Sequence, residues 1–213
     1  MKTYIVKNQE EGGFFLKNIL LNTVEEKDYA NIALPGGRSI IPFLHELKGL
    51  NEDVLSKLHF YLTDERIQGV KNKDTLYKEA FDELLESARI RIEQIHFPES
   101  LEKMKEELVK SFDIIILGVG EDGHIASLFP EDDALETQEK VVEINNSPKP
   151  PSNRITLTFN AMNKDATIVL LFFGESKKEA LKRFKNMDDY RKLPAAYFYE
   201  YDDVQIVTDQ NSG

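Results

Sequence analysis

An apolar run at residues 114–117 passes directly into a glycine-rich turn that carries an aspartate and a histidine. Four consecutive apolar residues that stop at a glycine are typical of a strand buried on both faces of a parallel sheet. Such a strand needs parallel neighbours and a layer of helices on each side. The turn at its carboxyl end, with Asp122 and His124, then lies where open α/β sheets bind their ligands.

The same order of apolar run, polar turn and helix-forming segment recurs along the chain. Residues 29–34 end at a Pro-Gly-Gly-Arg-Ser turn, where Ser39 is expected to cap a helix that begins near Ile40. Ser176 is expected to cap the last helix in the same way. The alternation predicts an α/β fold: a three-layer αβα sandwich around a mostly parallel, Rossmann-like sheet with right-handed crossovers.

The expected elements follow from these patterns. The strand at residues 154–158 alternates polar and apolar residues and is expected to be half-buried. The other strands are expected at residues 4–6, 29–34, 58–63, 95–97, 114–117, 141–144, 166–173, 195–199 and 204–207, and helices at residues 14–24, 40–47, from 74, 99–110, 159–163 and 176–184.

Charge limits the classes of partner. The 213 residues contain 38 acidic and 27 basic side chains, a formal net charge of -11, which disfavours nucleic acid and anionic membranes as partners. An anionic substrate needs basic groups concentrated locally, so arginines and lysines beside glycine turns are the candidates to bind one. No Pro/Gly/Ser-rich linker divides the sequence, so residues 1–213 are expected to form a single domain.

The compartment is indicated by what the sequence lacks. There is no cysteine, so disulfides, thiolate metal sites and thiol nucleophiles are excluded. No stretch approaches the roughly 20 apolar residues of a membrane span, and the first residues do not resemble a secretion signal. The expected location is cytoplasmic.

The glycine turn admits more than one interpretation. Gly118, Gly120 and Gly123 satisfy the G-x-G-x-x-G pattern of dinucleotide-binding turns, and Glu143 follows about twenty residues later. Pro130, however, interrupts the helix that such a turn should open. The same glycines can present backbone amides to a phosphate or an oxyanion, or simply permit a tight turn.

Only one of the four histidines follows a glycine turn at a strand end. His124 has Asp122 two residues before it, which supplies a titratable base and a carboxylate to orient it. Other polar strand-end loops have the composition of a phosphate cradle, although each alone could be an exposed turn. Their candidate residues are Gly36, Gly37, Arg38, Ser39, Asp64, Glu65, Arg66 and Lys177.

Taken together and in order, these motifs resemble the 6-phosphogluconolactonase family, within a superfamily that includes glucosamine-6-phosphate isomerase/deaminase. The long motif around His124 is the most specific of them. The matching segments are Leu-Pro-Gly-Gly-Arg-Ser at 34–39, Thr-Asp-Glu-Arg at 63–66, Leu-Gly-Val-Gly-Glu-Asp-Gly-His-Ile-Ala-Ser-Leu-Phe-Pro at 117–130, Pro-Pro-Ser-Asn-Arg-Ile-Thr-Leu-Thr at 150–158 and Gly-Glu-Ser-Lys at 174–177.

Within the superfamily, the sequence favours the lactonases. Ile125 is the residue that deaminases carry after the histidine, but deaminases continue with Phe-Asn-Glu-Pro and supply a further catalytic carboxylate. Here residues 127–130 are Ser-Leu-Phe-Pro, the lactonase form. Arg66 also stands where deaminases tend to have an aromatic residue. A deaminase/isomerase and a non-catalytic sugar-phosphate sensor remain the alternatives.

The resemblance implies hydrolysis of 6-phospho-D-glucono-1,5-lactone in the oxidative pentose phosphate pathway, without metal or cofactor. His124 would act as general base and then general acid, with Asp122 orienting it. The 6-phosphate would be held by Arg66, Lys177 and Arg38 or Arg154, with a hydroxyl from Ser39. Asp64, Glu65 and the glycine turns would complete the substrate site of a monomer or weak homo-oligomer.

Overall fold

The computed structural model describes residues 1–67, 88–97, 100–186 and 189–210, without the side chain of Arg38. The helix expected from residue 74 lies outside these ranges. Within them the strands are β1 (Lys2–Ile5), β2 (Ala30–Leu34), β3 (Leu58–Leu62), β4 (Asp64–Arg66), β5 (Ile95–His96), β6 (Ile114–Gly118), β7 (Val141–Ile144), β8 (Arg154–Leu157), β9 (Thr167–Phe172) and β10 (Val204–Thr208).

Seven of these strands form one sheet in the order β1-β10-β9-β6-β2-β3-β5, and all its pairings are parallel. Parallel neighbours require crossovers, which run through the helices. In the described ranges the α-helices are α1 (Gln9–Lys27), α2 (Ile41–Leu47), α3 (Glu52–Leu55), α4 (Leu101–Glu107) and α5 (Lys178–Lys185).

The central strand β6 has apolar side chains on both of its faces, as its composition predicts. Ile114 and Ile116 pack with the buried residues of α1 and α2, whereas Ile115 and Leu117 pack with those of α4 and α5. Because successive strand residues point to opposite faces, an uninterrupted apolar run supplies both cores. The predicted three-layer αβα arrangement is therefore confirmed.

A second sheet was not anticipated. Strands β7, β8 and β4 pair antiparallel, with β8 in the middle. All four residues of β8 are buried, so the expectation of a half-buried strand is wrong. Its apolar residues Ile155 and Leu157 join the core, while Arg154 and Thr156 bond to other buried polar groups instead of reaching water.

Three local expectations also fail. The strand expected at residues 195–199 is a 3-10 helix, Pro194–Glu200, in which Tyr197 stacks on Phe159 with ring centroids 3.7 Å apart. Ser39 caps nothing, because the 3-10 turn Arg38–Ile40 precedes α2. Ser176 lies inside a similar turn before α5, whose cap position is Lys177.

None of the helices in the described ranges is long and apolar enough to cross a membrane.

The contact between α1 and α2 depends on a glycine. A Cβ atom added to Gly13 would lie 2.6 Å from the carbonyl carbon of Pro42 and 2.8 Å from the amide nitrogen of Phe43. We expect Gly13→Ala to lower the free energy of unfolding by about 2 kcal/mol, because overpacking against backbone outweighs the roughly 1 kcal/mol that alanine gains in a helix. Urea denaturation measures it.

Gly49→Ala is the matched control, because a Cβ there meets nothing within 4 Å. It should change the stability by less than about 0.5 kcal/mol. A Gly13→Ala protein as stable as the wild type would contradict the close contact between the two helices.

Candidate active site

A cleft of about 250 Å³ lies at the carboxyl edge of the parallel sheet. Its walls are the segments that follow β2, β3, β6 and β9, together with the start of α1. Parallel strands all present their carboxyl ends at the same edge, so loops distant in sequence meet there. The cleft is where the candidate residues converge.

In the glycine turn after β6, the side chain of His124 lies close to the backbone of Gly120. The amide of Gly120 donates to the carbonyl of His124 at 2.8 Å, and that of Gly123 donates to the carbonyl of Gly120 at 3.0 Å. A Cβ on Gly120 would overlap the imidazole Nδ1 and lie 2.5 Å from Asp122 Oδ1. Gly123 has φ +86°, a conformation that favours glycine. These two glycines permit the approach of the side chains.

Asp122 and His124 form a close pair. His124 Nδ1 lies 2.5 Å from Asp122 Oδ1, and the His124 backbone amide is 3.3 Å from the same oxygen. Burial alone would raise the pKa of Asp122, but the hydrogen bonds and charge of His124, with Lys149, hold that pKa well below its usual range. An ionised carboxylate only accepts hydrogen bonds, so Nδ1 carries a proton towards Asp122 and Nε2 is the ring nitrogen that is left for proton transfer.

The imidazole is also packed against an aromatic ring. Phe129, which is 1% exposed, has its ring centroid 4.7 Å from that of His124. The side chain of His124 lines the cleft. Packing and the carboxylate together fix the orientation of the ring, which leaves it one polar atom for chemistry.

Beneath the cleft, three buried polar residues connect distant segments. Ser127 Oγ donates to Asp64 Oδ2 at 2.6 Å, and Arg154 Nη1 donates to Ser127 Oγ at 3.3 Å. The guanidinium is 3.9 Å from the same carboxylate oxygen. Burial lowers the pKa of Arg154 and the charge of Asp64 opposes that effect, so the guanidinium remains a cation. The network holds β4 and β8 against the glycine turn.

The cleft contains a local excess of positive charge. Arg66, Arg154 and Lys177 all line it. The Nε atom of Arg66 is buried and has no hydrogen-bond partner among the described residues. Burial, and next the charge of Lys149, lower the pKa of Lys177. An unsatisfied buried donor beside two further cations is a site that an anion would stabilise.

Most of the residues expected from the sequence meet in this cleft. Asp122 and Gly123 do not line it and support the turn instead, and the side chain of Arg38 is outside the described part of the chain. Glu65 does not line the cleft: it is buried, and its Oε1 accepts the amide of Arg66 at 2.5 Å. The expected residues that line the cleft are Gly36, Gly37, Ser39, Asp64, Arg66, Gly118, Gly120, His124, Arg154 and Lys177.

Sequence reasoning missed several residues. Leu171, Phe173 and Gln9 follow from strand order, because each lies near the carboxyl end of β9 or β1. Ser127 and Lys149 had no such signal, since their contacts are with residues far along the chain. The missed lining residues are Gln9, Pro35, Val119, Ala126, Leu171 and Phe173.

A larger cavity, of about 340 Å³, lies elsewhere, and half of its lining residues are tyrosines, among them Tyr190, Tyr197 and Tyr201. None of the candidate residues borders it. We therefore assign the chemistry to the smaller cleft, because volume alone supplies neither a base nor an anion site.

The chain is similar in sequence to known proteins of one family. Residues 13–207 match the family model described as glucosamine-6-phosphate isomerases/6-phosphogluconolactonase. The chain is 32% identical over 202 residues to the 6-phosphogluconolactonase of Borreliella burgdorferi, covering 87% of this chain and 86% of that protein. It is 31% identical over 204 residues to that of Mycobacterium leprae, with coverages of 85% and 83%.

Solved structures with the same fold include enzymes of two kinds. The 6-phosphogluconolactonase of Thermotoga maritima superposes with a TM-score of 0.83 at 25% identity, over 97% of this chain and 98% of that one. A monomeric glucosamine-6-phosphate deaminase superposes with a TM-score of 0.80 at 21% identity, over 99% and 98%. At that identity the second likeness concerns the fold alone.

The approach of the imidazole to Gly120 can be tested directly. We expect Gly120→Ala to displace His124 and break its bond to Asp122, because the added methyl group occupies the position of Nδ1. The NMR spectrum of this variant should lose the downfield signal of the His124 Nδ1 proton, because the hydrogen bond no longer protects that proton from exchange with solvent. Gly37→Ala is the control, since a Cβ there meets nothing within 4 Å. An unchanged Nδ1 proton in Gly120→Ala would contradict the geometry of the turn.

Proposed function

The chain belongs to the glucosamine-6-phosphate isomerase/6-phosphogluconolactonase family, and we propose that it hydrolyses 6-phospho-D-glucono-1,5-lactone to 6-phospho-D-gluconate. The observation that carries the proposal is the Asp122–His124 pair beside a cleft that three cationic side chains line. A base and an anion site are the two requirements for hydrolysing a phosphorylated lactone.

His124 performs both proton transfers. Its Nε2 accepts a proton from water as the water oxygen attacks the lactone carbonyl carbon, which yields a tetrahedral oxyanion and an imidazolium. When the intermediate collapses, the bond to the ring oxygen breaks and that oxygen takes the proton from Nε2. The ring opens to the free acid, and Asp122 stabilises the imidazolium between the two transfers.

The oxyanion needs hydrogen-bond donors that are not already engaged. The amides of Gly120 and Gly123 donate within their own turn. The loop at Gly36 and Gly37, which follows β2 at the same edge of the sheet, is therefore the better candidate for stabilising the oxyanion.

The phosphate is held chiefly by Arg66 and Lys177. The guanidinium of Arg154 already bonds to Ser127 and to backbone carbonyls of residues 149–151, so its donors are largely committed. Arg66 Nε has no hydrogen-bond partner in the described part of the chain, and Lys177 ends the 3-10 turn that follows β9. Arg154 contributes its charge and holds the floor of the cleft.

One position separates the lactonase from the deaminase proposal. Aligning the deaminase motif Phe-Asn-Glu-Pro with residues 127–130 puts its glutamate at Phe129. Phe129 is buried against the His124 ring, so an apolar surface occupies the place of that carboxylate. Lactone hydrolysis needs one base and no second carboxylate, which this arrangement supports.

The direct test generates the lactone with glucose-6-phosphate dehydrogenase and follows its disappearance with and without the protein. His124→Gln should lower kcat about 100-fold or more, because proton transfer by a positioned side chain contributes at least that factor. Circular dichroism checks that the variant folds. Near-full activity in His124→Gln would remove the general base, and ammonia release from glucosamine 6-phosphate by the wild type would favour a deaminase.

The phosphate site makes a separate prediction. Arg66→Gln and Lys177→Met should each raise KM about tenfold with kcat little changed, because each removes a charge-assisted contact to a group remote from the reacting carbonyl. Unphosphorylated gluconolactone should not distinguish these variants from the wild type. Lys178→Met is the matched control, since Lys178 is exposed and pairs with Glu175. An unchanged KM in both variants would refute the phosphate assignment.

A further inference from the structure

The Asp122–His124 pair has a third member. We propose that Lys149 is a positioning residue, whose ammonium anchors the outer carboxylate oxygen of Asp122 and whose charge opposes protonation of the His124 ring. Its Nζ lies 3.6 Å from Asp122 Oδ2, while the other oxygen, Oδ1, accepts from His124. The carboxylate is therefore held from both sides and cannot rotate freely. The inference rests on the proposed general-base function of His124.

The backbone of Lys149 is fixed independently of its side chain. Ser147 Oγ accepts from the Lys149 amide at 3.2 Å and donates to its carbonyl at 2.8 Å. The same carbonyl accepts from Arg154 Nη2 at 3.1 Å. The loop before β8 thus links the base to the buried guanidinium. A side-chain substitution at position 149 removes the ammonium and leaves these backbone bonds available.

Several charges surround the pair, and they do not act in the same direction. Glu121 Oε1 is 3.8 Å from Lys149 Nζ and attenuates its field. Lys177 interacts with the charge of Asp122 across the cleft, and Arg154 lies over the Phe129 ring that packs on His124. The other charged residues that line the cleft, among those the structure describes, are Asp64 and Arg66. Of the described lysines and arginines, Lys149 is the one that forms an ion pair with Asp122.

The expected consequence is a wider working range of pH. A carboxylate beside an imidazole favours the imidazolium, which cannot accept a proton from water. A cation on the far side of that carboxylate offsets the effect, so the ring stays neutral to lower pH. Lys149 also helps to keep Asp122 ionised: burial raises the pKa of Asp122, whereas the contacts with His124 and, after them, the charge of Lys149 lower it.

The test is the pH profile of kcat/KM for the phosphorylated lactone. Lys149→Gln should shift the acidic side of this profile, where kcat/KM falls as the pH is lowered, up by about half a pH unit. On that side kcat/KM should be roughly threefold lower than in the wild type, and at higher pH it should be unchanged. Lys149→Arg should restore the wild-type profile. Lys105→Gln removes the same charge from an exposed pair with Glu139 and should leave the profile unchanged.

Three outcomes overturn the inference. If the acidic side of the profile of Lys149→Gln is the same as that of the wild type, the ammonium has no effect on the base. If KM rises while the acidic side does not shift, Lys149 is a substrate ligand instead. An NMR titration of His124, assigned by its loss in His124→Gln, measures the same shift without turnover. An inactive wild type would refute the proposed function, whereas an unmoved His124 titration in Lys149→Gln would refute this inference separately.

Discussion

The cleft depends on one buried carboxylate. Asp64 is 4% exposed and meets Ser127 and Arg154, which come from the glycine turn and from the middle strand of the small sheet. Removing one partner of a buried charge pair typically costs about 3–5 kcal/mol, because the other charge is left without compensation. Charge and hydrogen bonds therefore hold the floor of the cleft, whereas the two apolar cores hold the helices against the two faces of the large sheet.

The layers of the fold could be predicted because their signal is local. The apolar run of β6 requires that both faces of the strand be buried, and the glycines end the strand independently of the rest of the chain. The small sheet was missed because the antiparallel pairing of β8 depends on contacts between residues far apart in sequence. The alternation of polar and apolar residues in β8 also does not show whether its polar side chains contact water or other polar side chains. At residues 195–199, β-forming aromatics became a 3-10 helix because Tyr197 stacks on Phe159, a tertiary contact that overrides propensity.

Residues of the site could be predicted where they lie close together in one short motif. Asp122, His124 and the glycines lie within one turn, so their spacing already implies contact. Glu65 lies away from the cleft for a reason of strand geometry: alternate residues of a strand share a face, so Asp64 and Arg66 line the cleft and the residue between them does not. Lys149 belongs to a loop that no local pattern connects with the histidine, and only the folded chain brings the two together.

The pairing of the outermost strand has a consequence for the order of assembly. Among the described residues β1 pairs with β10 alone, and Lys2 lies opposite Gln205. β1 therefore lacks its hydrogen-bonding neighbour until residues 204–208 have also been synthesised. Pairing so distant in sequence slows folding and exposes an unpaired edge meanwhile. Because β10 lies between β1 and β9, the sheet joins the earliest of the described strands to its other strands through the latest of them.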